Sequence, residues 1–451
     1  MAKWNGTAWS NPGAGAGNGP NYLVYALAVA SNGDLYAGGI FNLAGGASAN
    51  RVARWNGSAW GGLGTGVGNG MNDFVSAVAV ASNGDVYVGG NFTRAGGASA
   101  NRVARWNGSA WSSLGAGLGN GLNSYSGSVM ALAVAGNGDV YAGGVFTQAN
   151  GISTAGFVEK WNGTAWVSLG TATIIGSSSG ISALAVAGNG DVYAGGNFAY
   201  IGSTQANYVA KWNGTAWSSL GTGAANGVNY VVNALAVAGN GDVYVGGRFG
   251  LAGGASANRI ARWNGTAWSS LGTGTANGLD ADVTALAVAG NGDVYAGWAP
   301  TFAGGLATNH IAKWNGTAWS SLCTGLNGGV NGLALGPTGQ VYVGGSFATT
   351  GDGSKVMVNF GIYDPSTPLA TAAPRAAPAA QLFPNPAHGS ATLRLPADAP
   401  RRSLTLSDAQ GRVVRRYPAP TTAEAALDLR GLPAGVYLVR CGDLRQRLVV
   451  E

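Results

Sequence analysis

Trp161-Asn162-Gly163-Thr164-Ala165-Trp166 decides the fold, because this phrase or a near variant begins at Trp4, Trp55, Trp106, Trp161, Trp212, Trp263 and Trp314. The copies stand about 51 residues apart. Asn-Gly favours the left-handed backbone of a hairpin turn, so a Trp on either side reads as two antiparallel strands meeting there. A second marker keeps the same beat: Asn-Gly-Asp, an apolar residue, Tyr, one further residue and Gly-Gly. It occupies 32–39, 83–90, 137–144, 189–196 and 240–247, with altered copies at 291–298 and 338–345. A fixed period in this range, with strand alternation and no helical pattern, points to a propeller or a solenoid.

One repeat, residues 25–63, shows how the array is built. Residues 25–30 alternate Leu27 and Val29 against Ala26, Ala28 and Ala30; Asn32-Gly33 supplies a two-residue turn, and 34–39 return. With that loop length Val29 faces Tyr36 and Ala30 faces Leu35. One sheet face then carries Leu27, Val29 and Tyr36, and the other carries mainly alanines with Leu35. After a loop, residues 51–55 form a third strand, which Asn56-Gly57 turns into a fourth at 58–63, with Trp55 and Trp60 diagonal on one face. Each repeat is predicted as a four-stranded antiparallel meander, and stacking copies around an axis buries both faces. Six full meanders fit, and a seventh combines strands near Leu333, Val341 and Phe360 with one from residues 7–10. The expected fold is all-β: a seven-bladed β-propeller of four-stranded antiparallel blades at 1–365, an Ala/Pro-rich linker at 366–380 and a small Ig-like β-sandwich at 381–451. A strand at 2–4 has no place in this count, so a truncated start and an additional blade stay open.

Composition narrows the function classes. Glycine fills 80 of 451 positions, yet 15 Trp, 16 Tyr and 11 Phe are too many large apolar side chains for a disordered chain. Residues 1–365 hold 13 Lys plus Arg against 12 Asp plus Glu, and 381–451 hold 10 against 6, so the array carries no basic stripe for nucleic acid. Cys323 and Cys441 fall in different domains and give no disulfide framework. No apolar run approaches the roughly 18 residues of a membrane-spanning helix. The chain begins inside a repeat without a cleavable signal segment, and the expectation is a truncated start.

The array resembles the kelch repeat. The resemblance rests on an apolar pair, Gly-Gly, a loop and a spaced aromatic and Trp, as in residues 86–90 with Trp106 and Trp111, and on Ile362-Tyr363-Asp364-Pro365. It implies a propeller, and kelch-type propellers include partner-binding modules and a few oxidases. The tail resembles the C-terminal sorting domain of type IX secretion cargo, known from Bacteroidota. The pieces that carry this are FPNPAHG at 383–389, LTLSDAQGRVV at 404–414, LDLRGLPAGVYLV at 427–439 and the terminal RQRLVVE. The signal residues are Pro384, Asn385, Pro386, Gly389, Asp408, Gly411, Gly435 and Tyr437. The resemblance implies the type IX machinery as partner, passage across the outer membrane, and a secreted or surface location. That family also uses an N-terminal export signal.

Most chemistry-bearing residues have a structural reading. The Trp pairs recur on every blade and suit inter-blade packing better than sugar stacking, and the six Asn-Gly-Asp aspartates sit in turns where local bonding explains them. Asn-Gly-Thr and Asn-Gly-Ser match glycosylation acceptors, but coincide with the turns. His310 takes a slot held by Arg51, Arg102 and Arg259, and the array has no second His, so a His, Tyr and Cys copper site is not expected. A glycosidase needs paired carboxylates, and only Asp280 with Asp282 offers one. No metal or cofactor is expected. In a meander the short Asn-Gly turns share one face of the disc and the long connections the other, so binding is expected at the long connections, where copies differ. The candidates are Asn72, Asp73, Arg94, Tyr125, Tyr200, Tyr230, Asp280, Asp282 and Trp298. Trp298 breaks the double glycine before Ala299-Pro300, and reads alternatively as a plug in an irregular blade. The expected ligand is a glycan or a surface protein, the expected state a monomer, and the alternatives are a secreted carbohydrate-active enzyme or a structural repeat without a ligand.

Overall fold

The loop after each inner strand is held by the backbone and by its own Asn. In the first repeat Ala30 N–H donates to Asp34 O (2.8 Å), Gly33 N–H donates to Ala30 O (2.9 Å), and Gly33 has φ 87°. This is a three-residue loop ending on a left-handed glycine rather than the two-residue turn expected from Asn-Gly. The extra residue shifts the register by one, so Val29 pairs with Leu35 and Ala28 with Tyr36. Tyr36 therefore joins the alanine face and Leu35 the leucine face, the reverse of the sequence reading. The outer hairpin is longer than expected too. Trp55 pairs directly with Trp60 across a four-residue loop in which Asn56 Oδ1 accepts from Ser58 N (3.0 Å) and Ala59 N (2.8 Å). The two rings stand opposite rather than diagonal, 5.6 Å apart.

In a computed structural model of the protein, residues 9–10, 19–115, 122–123, 127–146, 148–149, 152–153, 157–169, 172–174, 180–274, 277–298, 302–364, 381–395, 403–441 and 444–451 are described. The expected strand at 2–4 and the linker at 366–380 lie outside them. The chain divides into two compact units, Met1–Pro368 and Leu369–Glu451. Among the described residues the first holds seven four-stranded antiparallel sheets, numbered here as blades 1 to 7. Blade 1 runs Val24–Val29, Leu35–Gly39, Val52–Trp55, Trp60–Gly62 from axis to rim, and blades 2 to 6 repeat that order. Blade 7 takes Val330–Leu335, Val341–Gly345 and Phe360–Tyr363 from the end of the ring and Trp9–Ser10 from its start. The inner strands of blades 1 and 7 lie side by side, so the ring is closed.

Blade stacking follows from the corrected faces. The face of Leu27, Leu35, Ala37, Trp55 and Trp60 packs on Ala334 and Tyr342 of blade 7, while Ala26, Ala28 and Tyr36 pack on Val78, Val86, Val88 and Trp111 of blade 2. Large side chains of each blade thus seat on the small-residue face of the one before it. The double glycine serves this fit: a Cβ on Gly38 would lie 2.5 Å from Val75 Cγ1 of blade 2, and one on Gly39 would strike the Leu23 carbonyl. The outer Trp of blades 2 to 6 also donates across the seam, as in Trp111 Nε1 to Leu63 O (2.7 Å) and Trp268 Nε1 to Leu220 O (2.8 Å), whereas Trp60 Nε1 of blade 1 has no partner among the described residues.

The Asn-Gly-Asp aspartates are tied to the third strand of their own blade. Asp34 pairs with Arg54 (2.7 Å), Asp85 with Arg105 (2.8 Å), Asp242 with Arg262 (3.0 Å) and Asp293 with Lys313 (3.1 Å). Between each pair and the seam lies the repeat tyrosine. Burial raises the pKa of Tyr36, Tyr87, Tyr141, Tyr193, Tyr244, Tyr295 and Tyr342, and pushes Tyr295 from 10.0 to about 12. A folded-state pKa above the unfolded value gives stability that is present below about pH 10 and is lost as pH climbs toward 12. For Tyr295, 3 % exposed, two units correspond to roughly 3 kcal/mol. Alkaline titration is therefore expected to show tyrosinate absorbance and loss of β-sheet circular dichroism rising together above pH 10. Full ionisation of these tyrosines near pH 10 with the ring still folded would contradict it.

The long connections are not plain loops, as the sequence suggested. Between its second and third strands each of blades 1 to 6 carries a short hairpin, such as Leu43–Ala44 with Ala47–Ser48 or Leu251–Ala252 with Ala255–Ser256, and blade 7 a single bridge, Thr349↔Val356. The segment entering the inner strand bridges to it, as at Met71↔Ala95 and Leu279↔Ala303.

The second unit is a two-sheet sandwich. One sheet orders Gln381–Phe383, Ser390–Arg394 and Glu424–Asp428; the other orders Val413–Tyr417, Leu404–Ser407, Gly435–Cys441 and Leu444–Val450. Leu393, Leu406, Leu427, Val439 and Leu448 form the core between the sheets.

Candidate functional site

The register of every inner strand slips once, at its start. In blade 1 the pairing passes from Val24↔Gly39 to Ala26↔Gly38 and leaves Tyr25 without an opposite residue. The same slip frees Ser76, Met130, Ser182, Asn233, Thr284 and Asn331. A bulge re-aims its extra residue, and seven bulges around one axis aim seven side chains at one place. Six of them, Tyr25, Ser76, Met130, Ser182, Asn233 and Asn331, meet with Phe74 in an axial cavity of about 380 Å³. Phe74 stands in the connection entering blade 2, so this mouth opens on the long-connection face. Thr284 lines the narrower channel that continues along the axis. Some of these groups brace the ring: Ser76 Oγ donates to Val129 O (2.5 Å), Thr284 Oγ1 to Val330 O (2.5 Å), Asn233 Nδ2 to Val283 O (3.3 Å) and Asn331 Nδ2 to Val24 O (3.4 Å). The sequence reading missed this set. Its signal was a single slot that changes chemical class in a strand otherwise close to Val-x-Ala-Leu-Ala-Val.

The expected binding residues divide into three groups. Asn72 and Asp280 fill one repeat slot and pin the hairpin of their own blade: Asn72 Oδ1 accepts from Thr93 N (2.9 Å) and Arg94 N (2.8 Å), and Asp280 Oδ1 from Phe302 N (3.1 Å). Asn21, Asn229 and Asn327 do the same. That role is structural, set by the ease with which Asx side chains bond backbone N–H groups. Asp73 accepts from Asn91 Nδ2 (2.9 Å), Arg94 reaches Gly97 O (3.3 Å), and Tyr200 is exposed on Phe198–Ile201. Tyr125 lies outside the described residues, and the Trp298 backbone pairs with Val283 at the end of its strand.

Tyr230 and Asp282, by contrast, are brought together, with partners the sequence reading left out. Arg248 Nε lies 2.9 Å from Asp282 Oδ2, Arg259 Nε 3.8 Å from Oδ1, and the Arg248 guanidinium 5.8 Å over the Tyr230 ring, which packs on Tyr208 at 6.1 Å. Asp282 holds the slot that Phe74 holds in blade 2, so this cluster stands at the rim of the axial mouth. Burial, with a smaller contribution from Tyr230, pushes the Tyr208 pKa up.

Arg259 belongs to a further series. Arg51, Arg102, Tyr208, Arg259, His310 and Asn359 precede the third strand of six blades with φ of 67°, 63°, 65°, 65°, 70° and 58°. The backbone requires it: Arg51 N–H donates to Phe41 O (2.8 Å) while its carbonyl accepts from Gly39 N (2.9 Å). Glycine would adopt this region without the roughly 1 kcal/mol that a side chain costs, so bulky residues here are retained against the local preference.

In the second unit the expected signal residues lock the tail strand. Asn385, between Pro384 and Pro386, donates from Nδ2 to Arg447 O (2.8 Å) and accepts at Oδ1 from Val449 N (2.8 Å). Ala387 N donates to Val449 O (2.8 Å). Asp408 accepts from Gln410 N (3.0 Å) and Arg412 N (2.9 Å) around Gly411, whose φ is 81°. Desolvation alone would raise its carboxyl pKa, but these bonds together with the Arg412 side chain and charge outweigh it and hold the carboxyl below the usual range. Gly389 has φ 73°, and Tyr437, on the strand that Gly435 opens, donates to Pro433 O (2.7 Å).

Residues 381–450 match the family described as the secretion system C-terminal sorting domain. The tail is a type IX sorting domain. The sorting domain marks the chain as a secreted or outer-membrane surface protein and implies engagement with the secretion machinery. No curated protein matches the sequence. Among solved structures it is similar to PorZ, a surface component of the type IX secretion system of Porphyromonas gingivalis, at 17 % identity and TM-score 0.46 over 97 % of this chain and 61 % of that one. It is also similar to the extracellular domain of a putative hybrid two-component system of B. thetaiotaomicron, at 11 % identity and TM-score 0.49 over 98 % and 52 %. A streptogramin B lyase matches at 13 % identity and TM-score 0.47 over 79 % and 97 %. The chain thus spans little more than half the length of the first two. Among the described residues no helix is long and apolar enough to cross a membrane, and no group of three or more His, Cys, Asp or Glu could hold a metal ion.

Proposed function

We propose that the protein is an exported, non-enzymatic propeller that binds a glycan or protein ligand through its long-connection face, as a monomer organised into a ring at 1–365, a linker at 366–380 and a sorting domain at 381–451. The observation that supports this is the convergence of six of the seven bulged, chemically varied side chains on one axial cavity, in a repeat otherwise held nearly constant. The left-handed arginines, tyrosine and histidine around the same face add to it, because strained non-glycine residues gather at functional positions. A hydrolase needs two carboxylates positioned for acid and base roles. Here Asp280 is engaged by the Phe302 N–H and Asp282 by two guanidinium groups, which favours the binding reading.

Two surface-altered forms test it against arrayed glycans and envelope proteins. Phe74→Ala with Arg248→Ala and Asp282→Ala strips the long-connection face; Ser58→Lys with Ser109→Lys and Thr164→Lys alters the turn face. Saturable binding is expected to weaken at least about tenfold, a difference of 1.4 kcal/mol, only in the first. Loss in the turn-face form alone, or turnover of a bound polysaccharide, would overturn the reading.

A further inference from the structure

We infer that the axial cavity accepts the terminal sugar of a neutral glycan, stacked on Tyr25 and Phe74 and hydrogen-bonded by Asn233 and its neighbours. This deepens the long-connection-face reading and rests on it. The cavity lining carries no Lys, Arg, His, Asp or Glu among the described residues, whereas the rim beside it holds Arg248, Arg259 and Asp282. A charged ligand group placed in the cavity would leave water for a site offering no opposite charge, so the occupant is neutral.

Its largest apolar groups and its free polar groups stand on opposite sides of the axis, while Ser76 of blade 2 is bonded to Val129 O and Met130 of blade 3 lies between. Tyr25 of blade 1 and Phe74 of blade 2 meet edge to face, with centroids 6.4 Å apart and planes at 81°. In a ring of seven, blade 5 stands across the axis from the seam between blades 1 and 2, and blade 5 contributes Asn233. Ser182 of blade 4 and Asn331 of blade 7 extend the polar arc. One wall is therefore aromatic and the facing wall is amide and hydroxyl. A pyranose has the matching form, with a C–H face that packs on an aromatic ring and hydroxyls around its edge. Hydrogen-bonding capacity is present as well. Ser182 Oγ and Tyr25 Oη have no hydrogen-bond partner among the described residues, and the Asn233 and Asn331 amides make only the long bonds of 3.3 and 3.4 Å. A volume of about 380 Å³ lies at the small end of ligand cavities, which suits a terminal residue rather than a chain passing through.

The full chain is titrated against an array of neutral oligosaccharides, acidic oligosaccharides and peptides, and the tightest ligand is then followed by calorimetry at low and high salt. Expected is a neutral oligosaccharide whose affinity is indifferent to salt and falls about tenfold or more in Phe74→Ala and in Asn233→Ala. Ser182→Leu, which fills the cavity without removing a packed side chain, should block binding at an unchanged melting temperature, and Ser109→Lys on the turn face should leave it intact. Binding confined to acidic glycans or peptides, lost in Arg248→Ala but kept in Ser182→Leu, would overturn the inference while the long-connection face stands. Failure of every neutral oligosaccharide to bind would overturn it also, and loss of binding in the turn-face form would bring down the broader reading with it.

Discussion

A chain lacking residues 381–451 is expected to remain inside the cell envelope with its ring intact. The two compact units do not share a core: the buried cluster of the tail runs from Ala387 to Val450, and the clusters of the ring draw only on residues from Val24 to Phe360. Cutting between them removes the sorting domain and leaves the buried clusters of the ring whole. Given an export leader and a host with type IX secretion, full-length protein should appear in the medium or on the cell surface. The shortened form should accumulate behind the outer membrane with an unchanged far-ultraviolet spectrum and melting temperature. Appearance of the shortened form outside the cell would refute the assignment of the sorting role to this domain. Asn385→Ala should give a graded version of the same result, since it removes both bonds that hold the Pro-Asn-Pro segment to the last strand.

Trp319→Ala should destabilise the ring by about 3–5 kcal/mol, the range for large aromatic truncations in a core. Trp319 is 5 % exposed, lies 5.5 Å from Trp314 and donates from Nε1 to Leu271 O of the preceding blade (2.9 Å). It belongs to the cluster that joins Ile260 and Leu271 of blade 5 to Val294 of blade 6, so its loss leaves a cavity on a seam between blades. Trp319→Phe keeps most of the apolar area and removes one of the two bonds that the Leu271 carbonyl accepts, the other coming from Gly278 N (3.0 Å), and should cost about 1 kcal/mol. Urea unfolding reads both. An alanine variant within about 1 kcal/mol of the parent would mean that the paired rings do not hold the blades together.

Architecture was legible because its signals are local and repeated. Asn-Gly between two tryptophans and the double glycine after Tyr mark strand ends in every copy, and the tail motifs name the sorting domain outright. Register was harder to read. Asn-Gly suits a two-residue turn, but it also closes three- and four-residue loops when the Asn side chain bonds the backbone, as Asn56 does, and one residue of difference moves Tyr36 to the other face. The small hairpins escaped because two-residue strands such as Leu43–Ala44 carry no periodicity. The binding candidates were chosen as exposed polar residues in variable connections. That criterion found Tyr230 and Asp282, but it also took in Asn72 and Asp280, whose side chains serve the backbone. It passed over the bulge set because a varied slot inside a regular strand looks like tolerance until the slip in pairing shows where the side chains point.

Two residue pairs, Trp9↔Tyr363 and Ser10↔Ile362, seal the whole circle. No chain shortened before Phe360–Tyr363 can finish the ring, because that strand holds the partners of Trp9 and Ser10. Topology acts here as a latch: segments from opposite ends of the array must meet before the circle locks.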